Sequence, residues 1–263
     1  MTNMSDIQLH GELKEVCDFL ANYAACMLGC GATCIRIEKN VMRIAQAFDK
    51  QADMVILPSH VSLTVWDMEH THSYHDTVKI YKMGISLYMI TELSRLSWQI
   101  ADGKVERAEA IERFYAISAS KPINRWVVLF LASLANMSFC RLFGGDATSM
   151  LIVFVATLAG FYLKQILLAD KMDVRVVTIA SAFFASVIGS AGYVFGWGDT
   201  PELALGTSVL FLIPGIPYIN SVSDLLDGHY LCSFSRFIQA SVLTVCISLG
   251  LCGGLLLMHI KWF

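Results

Sequence analysis

Helix-breaking and ionisable residues occur together between positions 211 and 236, inside the more apolar part of the chain. Pro214 and Pro217 each lack a backbone donor and disfavour helix in the preceding residue, so backbone groups near this break lose their helical partners. An unpaired backbone group in hydrocarbon costs several kcal/mol, so the break should face protein or a wet cavity. Broken membrane helices of this kind bind polar solutes in transporters.

Two polar side chains follow the break at a spacing of one helical turn. Asn220 and Asp224 would share one face of a helix that resumes after Pro217. In this arrangement Asp224 could carry a coupling proton, while helix ends or Arg236 attract the carboxylate of a small-molecule substrate. The alternative is an ordinary proline kink near the end of a span, with Asp224 solvated just past the inner interface.

Two other clusters contain residue types that bind metals. The segment from His70 to Asp76 could gather imidazoles and a carboxylate around zinc, but a solvated hairpin tip accounts for it better, because no second ligand cluster accompanies it. Cys26, Cys30 and Cys34 stand four residues apart, but glycines interrupt the helix that would align them. Small packing residues at a helix junction are the favoured interpretation. We expect no metal, no cofactor and no disulfide framework.

Composition and charge restrict the class of protein. The chain is 56% hydrophobic and 16% charged, with a mean hydropathy of +0.57, which is too apolar for an ordinary soluble domain. A net charge of -3 offers no basic patch, so we expect no nucleic-acid partner. The polar, acidic start lacks the pattern of a secretory signal, so we expect the N-terminus in the cytosol.

Residues 1–122 predict a cytoplasmic α+β domain. Helical periodicity runs from 9 to 28 and from 34 to 48, with Thr33 available as an N-cap, and helices return at 85–101 and 105–118. Short β-branched or aromatic runs at 54–57, 61–66 and 78–81 suit a small antiparallel sheet. No nucleophile elbow, P-loop or dinucleotide fingerprint occurs in this part of the sequence, so we name no catalytic residue.

Residues 123–263 predict an all-α membrane domain with about five spans. Each candidate is near the ~20 residues that cross ~30 Å of hydrocarbon. The candidates are 126–143, 147–169, 174–195, 203–225 and 237–258. Basic residues flank the ends expected inside, which places the N-terminus in the cytoplasm and the C-terminus outside. Small residues at 180–192 would let helices approach closely.

Between the first two spans lies the sequence Gly144-Gly145-Asp146. Glycine permits the positive φ angles of tight turns, so an outer turn is the favoured interpretation. The alternative makes these residues part of a solute path.

The stretch 212–236 resembles the threonine/serine exporter family, in the split form made of two membrane subunits. Its pattern is carried here by Pro214, Gly215, Pro217, Asn220, Asp224, Gly228 and Arg236. Supporting matches in the first domain are Gly31-Ala32, Arg36 and Glu38, with Gly144-Gly145 after the first span. Ser233 departs from the pattern, because the family more often has glycine there, so the loop before Arg236 should be less tightly turned. The match covers nearly the whole chain.

The resemblance implies a multi-pass exporter of small hydrophilic metabolites in the inner membrane. Threonine and serine are the implied substrates or, in the split form, dicarboxylates such as succinate. Fused members carry a second multi-span domain, so the resemblance also implies a second small multi-span membrane subunit as partner, with a higher oligomer left open. The implied substrate-binding or coupling residues are Pro214, Gly215, Pro217, Asn220, Asp224 and Arg236.

Two hypotheses of other classes place the activity in the first domain. A membrane-anchored enzyme would use Arg36, Glu38 and the His70–Asp76 segment as its polar centre. A sensor would bind a ligand in that domain and gate the spans. Five spans are more than an anchor needs, which favours the exporter.

Overall fold

The computed structural model describes residues 4–81, 83–120 and 123–260. The chain divides into two compact units. Unit 1 contains residues 1–121 and 216–237, and unit 2 contains residues 122–215 and 238–263. The predicted domain boundary after residue 122 falls beside positions 121 and 122, which lie outside the described residues.

Unit 1 begins with a helical hairpin, a three-stranded sheet and two further helices. The elements are α1 (Met4–Gly29), α2 (Cys34–Ala47), β1 (Lys50–Ile56), β2 (His60–Asp67), β3 (Ser73–Lys79), α3 (Leu87–Ala101) and α4 (Arg107–Ser118). The strands form an antiparallel meander in the order β1-β2-β3. This arrangement confirms the predicted α+β class of the N-terminal part.

The core of unit 1 lies between α1 and the sheet. Side chains alternate between the faces of a strand, and the alternate residues Val61, Leu63 and Val65 of β2 are fully buried. The hydroxyl of Tyr23, also fully buried in α1, donates to the carbonyl oxygen of Leu93 at 2.8 Å. A buried polar group thereby keeps a partner, as burial requires.

The third strand starts earlier than the sequence predicts. We expected a strand at 78–81 after a hairpin tip at 70–76, but β3 begins at Ser73. Its register places Tyr74 opposite Val65 and His75 opposite Thr64. The polar residues at 73–77 carry no apolar signal, so pairing with β2 decides their conformation. Only the beginning of the predicted tip is therefore a turn.

Unit 2 is built from helices, and α11 reaches it from unit 1. The helices are α5 (Arg125–Leu142), α6 (Ala147–Ala169), α7 (Val174–Gly189), α8 (Ala191–Phe195) and α9 (Pro201–Thr207), followed by a short 3-10 turn (Leu210–Leu212). Two further helices are α10 (Gly215–Leu226), which lies mostly in unit 1, and α11 (Tyr230–Leu257), which has residues in both units.

The described residues include four helices that are long and apolar enough to span a membrane. A fifth span results if the bent pair formed by Pro201–Leu212 and α10 counts as one. The prediction of about five spans agrees with this range. The last span was expected to begin at 237, but α11 starts at Tyr230. The prediction missed the first turns of this helix because they carry serines and an arginine, which hydropathy alone does not assign to a span.

Small residues bring α7 and α11 close together in unit 2. A Cβ atom at Gly250 would collide with the carbonyl oxygen of Ile179, and one at Gly254 would collide with the hydroxyl of Ser186. Glycines spaced four apart allow such close helix pairs in membranes. The close approach predicted for 180–192 is thus present, with α11 as the partner helix.

Candidate functional site

The predicted break is present, but only one proline interrupts the helix. The 3-10 turn ends at Leu212, and α10 begins at Gly215. Pro217 lies in the first turn of α10, where a backbone N–H has no acceptor within the helix and its loss is tolerated. We expected the helix to resume after Pro217, and this was wrong for that reason. The break is confined to Ile213 and Pro214.

Beyond the break, α10 presents two polar side chains to the turn between α1 and α2. The amide of Asn220 donates to the carbonyl oxygen of Gly31 at 2.7 Å. One turn later, the Oδ1 atom of Asp224 accepts a hydrogen bond from the backbone N–H of Cys34 at 2.9 Å. Cys34 is the first residue of α2, so the carboxylate of Asp224 caps that helix.

This cap replaces the one that the sequence predicts. Thr33 occupies the N-cap position of α2, as expected, but its side chain makes no capping hydrogen bond. A carboxylate at a helix N-terminus satisfies an orphan N–H and interacts favourably with the helix dipole. Asp224 therefore performs for α2 what a local N-cap usually does.

Arg236 completes the cluster from the second turn of α11. Its Nη2 atom donates to the carbonyl oxygen of Ala32 at 2.6 Å, and its Nη1 atom lies 3.3 Å from the Oδ2 atom of Asp224. Neither Nη1 nor Oδ2 makes a hydrogen bond within the described residues. The side chain of Asp224 is fully buried and that of Arg236 is 17% exposed. Asp224 and Arg236 thus form an ion pair in which Oδ2 and Nη1 could still accept or donate a hydrogen bond.

We call this cluster the Asp224 node. Its members are Gly31, Ala32, Cys34, Asn220, Asp224 and Arg236. All of them belong to unit 1. Gly31 has a φ of +89°, which glycine adopts without strain, and its turn directs the carbonyl groups that accept from α10 and α11.

The other two charged residues of the N-terminal family pattern, Arg36 and Glu38, are not members of the Asp224 node. Glu38 pairs with His229, whose Nε2 atom lies 3.4 Å from Oε1 of the carboxylate, and the backbone N–H of His229 donates to the carbonyl oxygen of Asp224. Arg36 is exposed on α2. We did not identify His229 from the sequence, although its place between Asp224 and Arg236 was a usable signal.

Two serines connect α10 to α11 beside the node. The hydroxyl of Ser221 donates to the carbonyl oxygen of Ser233 at 2.8 Å, and the hydroxyl of Ser233 donates to the carbonyl oxygen of Ser221 at 2.7 Å. Ser233 is the position at which the family more often has glycine. Its hydroxyl supplies one of the two bonds between the helices here, and glycine would lack it.

Gly144, Gly145 and Asp146 form a tight turn that caps α6. The Oδ1 atom of Asp146 accepts from the N–H of Ser149 at 3.1 Å and from the hydroxyl of Thr200 at 2.8 Å. Hydrogen bonding by the side chains of Ser149 and Thr200, together with backbone N–H donors, holds the pKa of Asp146 well below its ordinary value. The turn interpretation, favoured from the sequence, agrees with this geometry.

The candidate metal-binding segments show other contacts. Within the described ranges, no three His, Cys, Asp or Glu side chains are grouped to hold a metal ion. Asp67 instead closes the hairpin turn by accepting hydrogen bonds from the N–H and the hydroxyl of Thr71. The bond from the hydroxyl is the main reason why the pKa of Asp67 is lowered to about 2. Cys26, Cys30 and Cys34 are buried free thiols.

Comparison with known proteins shows the family to which the chain belongs. The model of the threonine/serine exporter family matches residues 18–258. The chain belongs to this family. It is similar to two proteins named "Probable succinate transporter subunit YjjP". The one from Klebsiella aerogenes is 27% identical over 91% of this chain and 92% of its own length. The one from Escherichia coli K12 is 28% identical over 66% and 68%.

No solved structure matches the chain. Family membership confirms the resemblance read from the sequence and makes the chain a multi-pass membrane exporter rather than an enzyme. The hypothesis of a membrane-anchored enzyme is therefore wrong. A ligand-sensing role for the N-terminal domain stays a hypothesis.

Proposed function

We propose that this threonine/serine exporter family member is one subunit of a two-subunit secondary exporter of small dicarboxylates such as succinate. The names of the two relatives support both the substrate class and the need for a second subunit. Threonine and serine, the solutes in the family's description, are the competing substrates. The observation that carries the proposal is the buried pair of Asp224 and Arg236.

The chemistry of that pair suits a carboxylate substrate. A guanidinium has five N–H donors in a planar fork that matches a carboxylate. Arg236 has one carboxylate neighbour, Asp224, and its Nη1 donor makes no hydrogen bond within the described residues. An incoming substrate carboxylate would compete with Asp224 for this donor, because the two groups have the same charge and shape.

A proton on Asp224 would decide that competition. Protonation removes the negative charge that faces Arg236, which makes the guanidinium available to the substrate. It also weakens the cap on α2, because a neutral carboxyl interacts less with a helix N-terminus than a carboxylate does. Proton binding, substrate binding and the attachment of α2 to α10 would then be linked at one residue.

We also propose an inner-membrane location with the N-terminal domain in the cytoplasm. Arg125 begins α5, while Lys171 and Arg175 lie at the connection between α6 and α7. These positions share one side of the membrane if α5 and α6 both span it. The connection before α9 and the first turn of that helix have acidic residues instead, at Asp199 and Glu202. Basic residues concentrate on the cytoplasmic side of membrane proteins.

Efflux measurements on loaded cells test the proposal. Cells would be loaded with labelled succinate or labelled threonine and would express this chain, its partner subunit, both, or both with Asp224→Asn. We expect succinate efflux only when both subunits are present, and its loss in the Asp224→Asn variant. Asp146→Asn is the matched control, because Asp146 also caps a helix but makes no ion pair within the described residues, and it should retain efflux.

Each other outcome has a defined meaning. Undiminished efflux by Asp224→Asn would remove Asp224 from the mechanism. Efflux by this chain alone would contradict the two-subunit arrangement. Efflux of threonine without succinate would overturn the dicarboxylate assignment while leaving the role of Asp224 to be tested with that substrate.

A further inference from the structure

The connection between β3 and α3 exposes a cluster of large apolar side chains. Tyr81 is 70% exposed, Leu87 63% and Tyr88 59%, and Met83 and Ile85 are about half exposed. Single exposed apolar residues are normal on a protein surface, but a contiguous apolar patch marks an interaction site. We call Tyr81 together with residues 83–88 the apolar connection.

The charge within this segment is of one sign, between Asp76 on one side and Glu92 on the other. From Thr77 to Thr91 the sequence contains two lysines, at 79 and 82, and no aspartate or glutamate. The amino group of Lys79 lies 5.9 Å from the centre of the Tyr81 ring. Aromatic rings favour the headgroup level of a bilayer, where lysines place their stems on apolar surface and their amino groups near lipid phosphates. Basic residues beside a membrane are attracted to anionic lipids.

Backbone hydrogen bonds fix the apolar connection beside the Asp224 node. The N–H of Met83 donates to the carbonyl oxygen of Gly29 at 3.2 Å, and the N–H of Ser86 donates to that of Cys30 at 3.1 Å. The adjoining residues of the same turn accept from Asn220 and Arg236. Those side chains belong to α10 and α11, which are parts of candidate spans. Within unit 1, the apolar connection therefore lies beside the turn that contacts α10 and the first turns of α11.

The exposed side of α10 and the start of α11 has the same character. Ile219 is 69% exposed, Leu226 82% and Tyr230 67%. These residues lie in unit 1 with the apolar connection. An apolar surface on a candidate span is suited to lipid or to another membrane helix, and unit 1 carries both this surface and the apolar connection.

We propose that the apolar connection inserts into the headgroup layer of the bilayer and binds a lipid surface that contains anionic headgroups. Tyr81, Leu87 and Tyr88 supply the inserted rings and aliphatic groups, and Lys79 supplies charge complementarity. The insertion anchors the N-terminal domain at the membrane surface independently of the covalent links to the spans. The proposal rests on the chain being a membrane protein and not on its substrate.

Spin labels on the full chain in lipid nanodiscs test this proposal. Labels would be placed at Leu87→Cys and, separately, at Tyr81→Cys, in a Cys252→Ala background, because the other seven native cysteines are buried. Met68→Cys is the matched control, since Met68 is 58% exposed but lies at the far turn between β2 and β3. Collision rates with dissolved oxygen, which partitions into lipid, would be compared with those of a water-soluble nickel chelate.

We expect the ratio of oxygen to nickel collisions to be several-fold higher at positions 81 and 87 than at position 68. Replacing phosphatidylglycerol in the disc with phosphatidylcholine should lower the ratio at both test positions and leave the control unchanged. Equal ratios at all three positions would overturn the proposal. Protection from nickel that appears only when the second subunit is added would also overturn it, because it would assign the surface to a protein partner.

Discussion

Asp146 and Asp224 both cap a helix with a carboxylate, but their surroundings differ in one decisive respect. Asp146 caps its own helix and accepts hydrogen bonds from neutral donors on Ser149 and Thr200. Asp224 caps a helix 190 residues away in the sequence and has a cation, Arg236, at its second oxygen. The first cap holds a turn. The second also balances a buried charge, and in our proposal a proton or a competing anion would change it.

The largest effect should follow from removing the cation of this pair. Arg236→Ala leaves the carboxylate of Asp224 buried without a compensating charge, and breaking a buried pair in this way costs about 3–5 kcal/mol. We expect a large decrease in the thermal unfolding midpoint of the purified protein in nanodiscs. The double variant Arg236→Ala with Asp224→Asn should recover part of the loss, since no buried charge remains. A double variant as unstable as the sum of the single ones would show that the two residues are not coupled.

A smaller effect should follow from removing the amide beside the pair. Asn220→Ala deprives the carbonyl oxygen of Gly31 of its donor, and a hydrogen bond of this kind contributes about 1 kcal/mol. Asn220→Asp is the matched variant, because it keeps the shape of the side chain but has no donor and adds a negative charge near Asp224. We expect Asn220→Asp to lower the unfolding midpoint at least as much as alanine does. An unchanged midpoint in both variants would mean that Asn220 does not hold the turn.

The comparison predicts a purely structural result for the other cap. Asp146→Ala removes the acceptor for Ser149 and Thr200, so the unfolding midpoint should fall slightly, since caps of this type stabilise a helix N-terminus. Transport normalised to the amount of folded protein should stay unchanged. A specific loss of transport in this variant would erase the distinction between the two aspartates.

The smallest effect concerns acid pH. Because hydrogen bonds in the folded state lower the pKa of Asp146 from 3.8, its stabilising contribution is complete above that value and decreases as the pH falls below it. The midpoint difference between the wild type and Asp146→Asn should therefore be constant from pH 7 to about 5 and shrink toward pH 3. A difference that grows on acidification would contradict the sign of this shift.

Local patterns predict most of the elements but few of their partners. The periods of α1, α2 and the spans are visible in the sequence because each apolar face repeats within a few residues. The start of β3 at Ser73 is not visible, because polar residues there are held by pairing with β2. The early start of α11 was missed for a related reason, since Ser233 and Arg236 bind protein groups instead of facing lipid.

The candidate site, too, could be predicted from the sequence only in part. Residue types and spacing single out Asn220 and Asp224 as one face of a helix, and the family resemblance adds Gly31 and Arg236. Neither reveals that these residues meet, because the contacts join positions 189 to 204 residues apart. His229 was missed because its partner, Glu38, lies in another helix.

The sequence alone determined that the chain is an α+β domain followed by membrane helices, that the helical pattern is broken near Pro214, and that the chain resembles the exporters. Hydropathy, proline chemistry and motif residues are local properties. Only the tertiary structure decided what the polar residues after the break do. Burial is the physical reason. A buried carboxylate is stable only with protein partners, and for Asp224 these are the N–H of Cys34 and the guanidinium of Arg236.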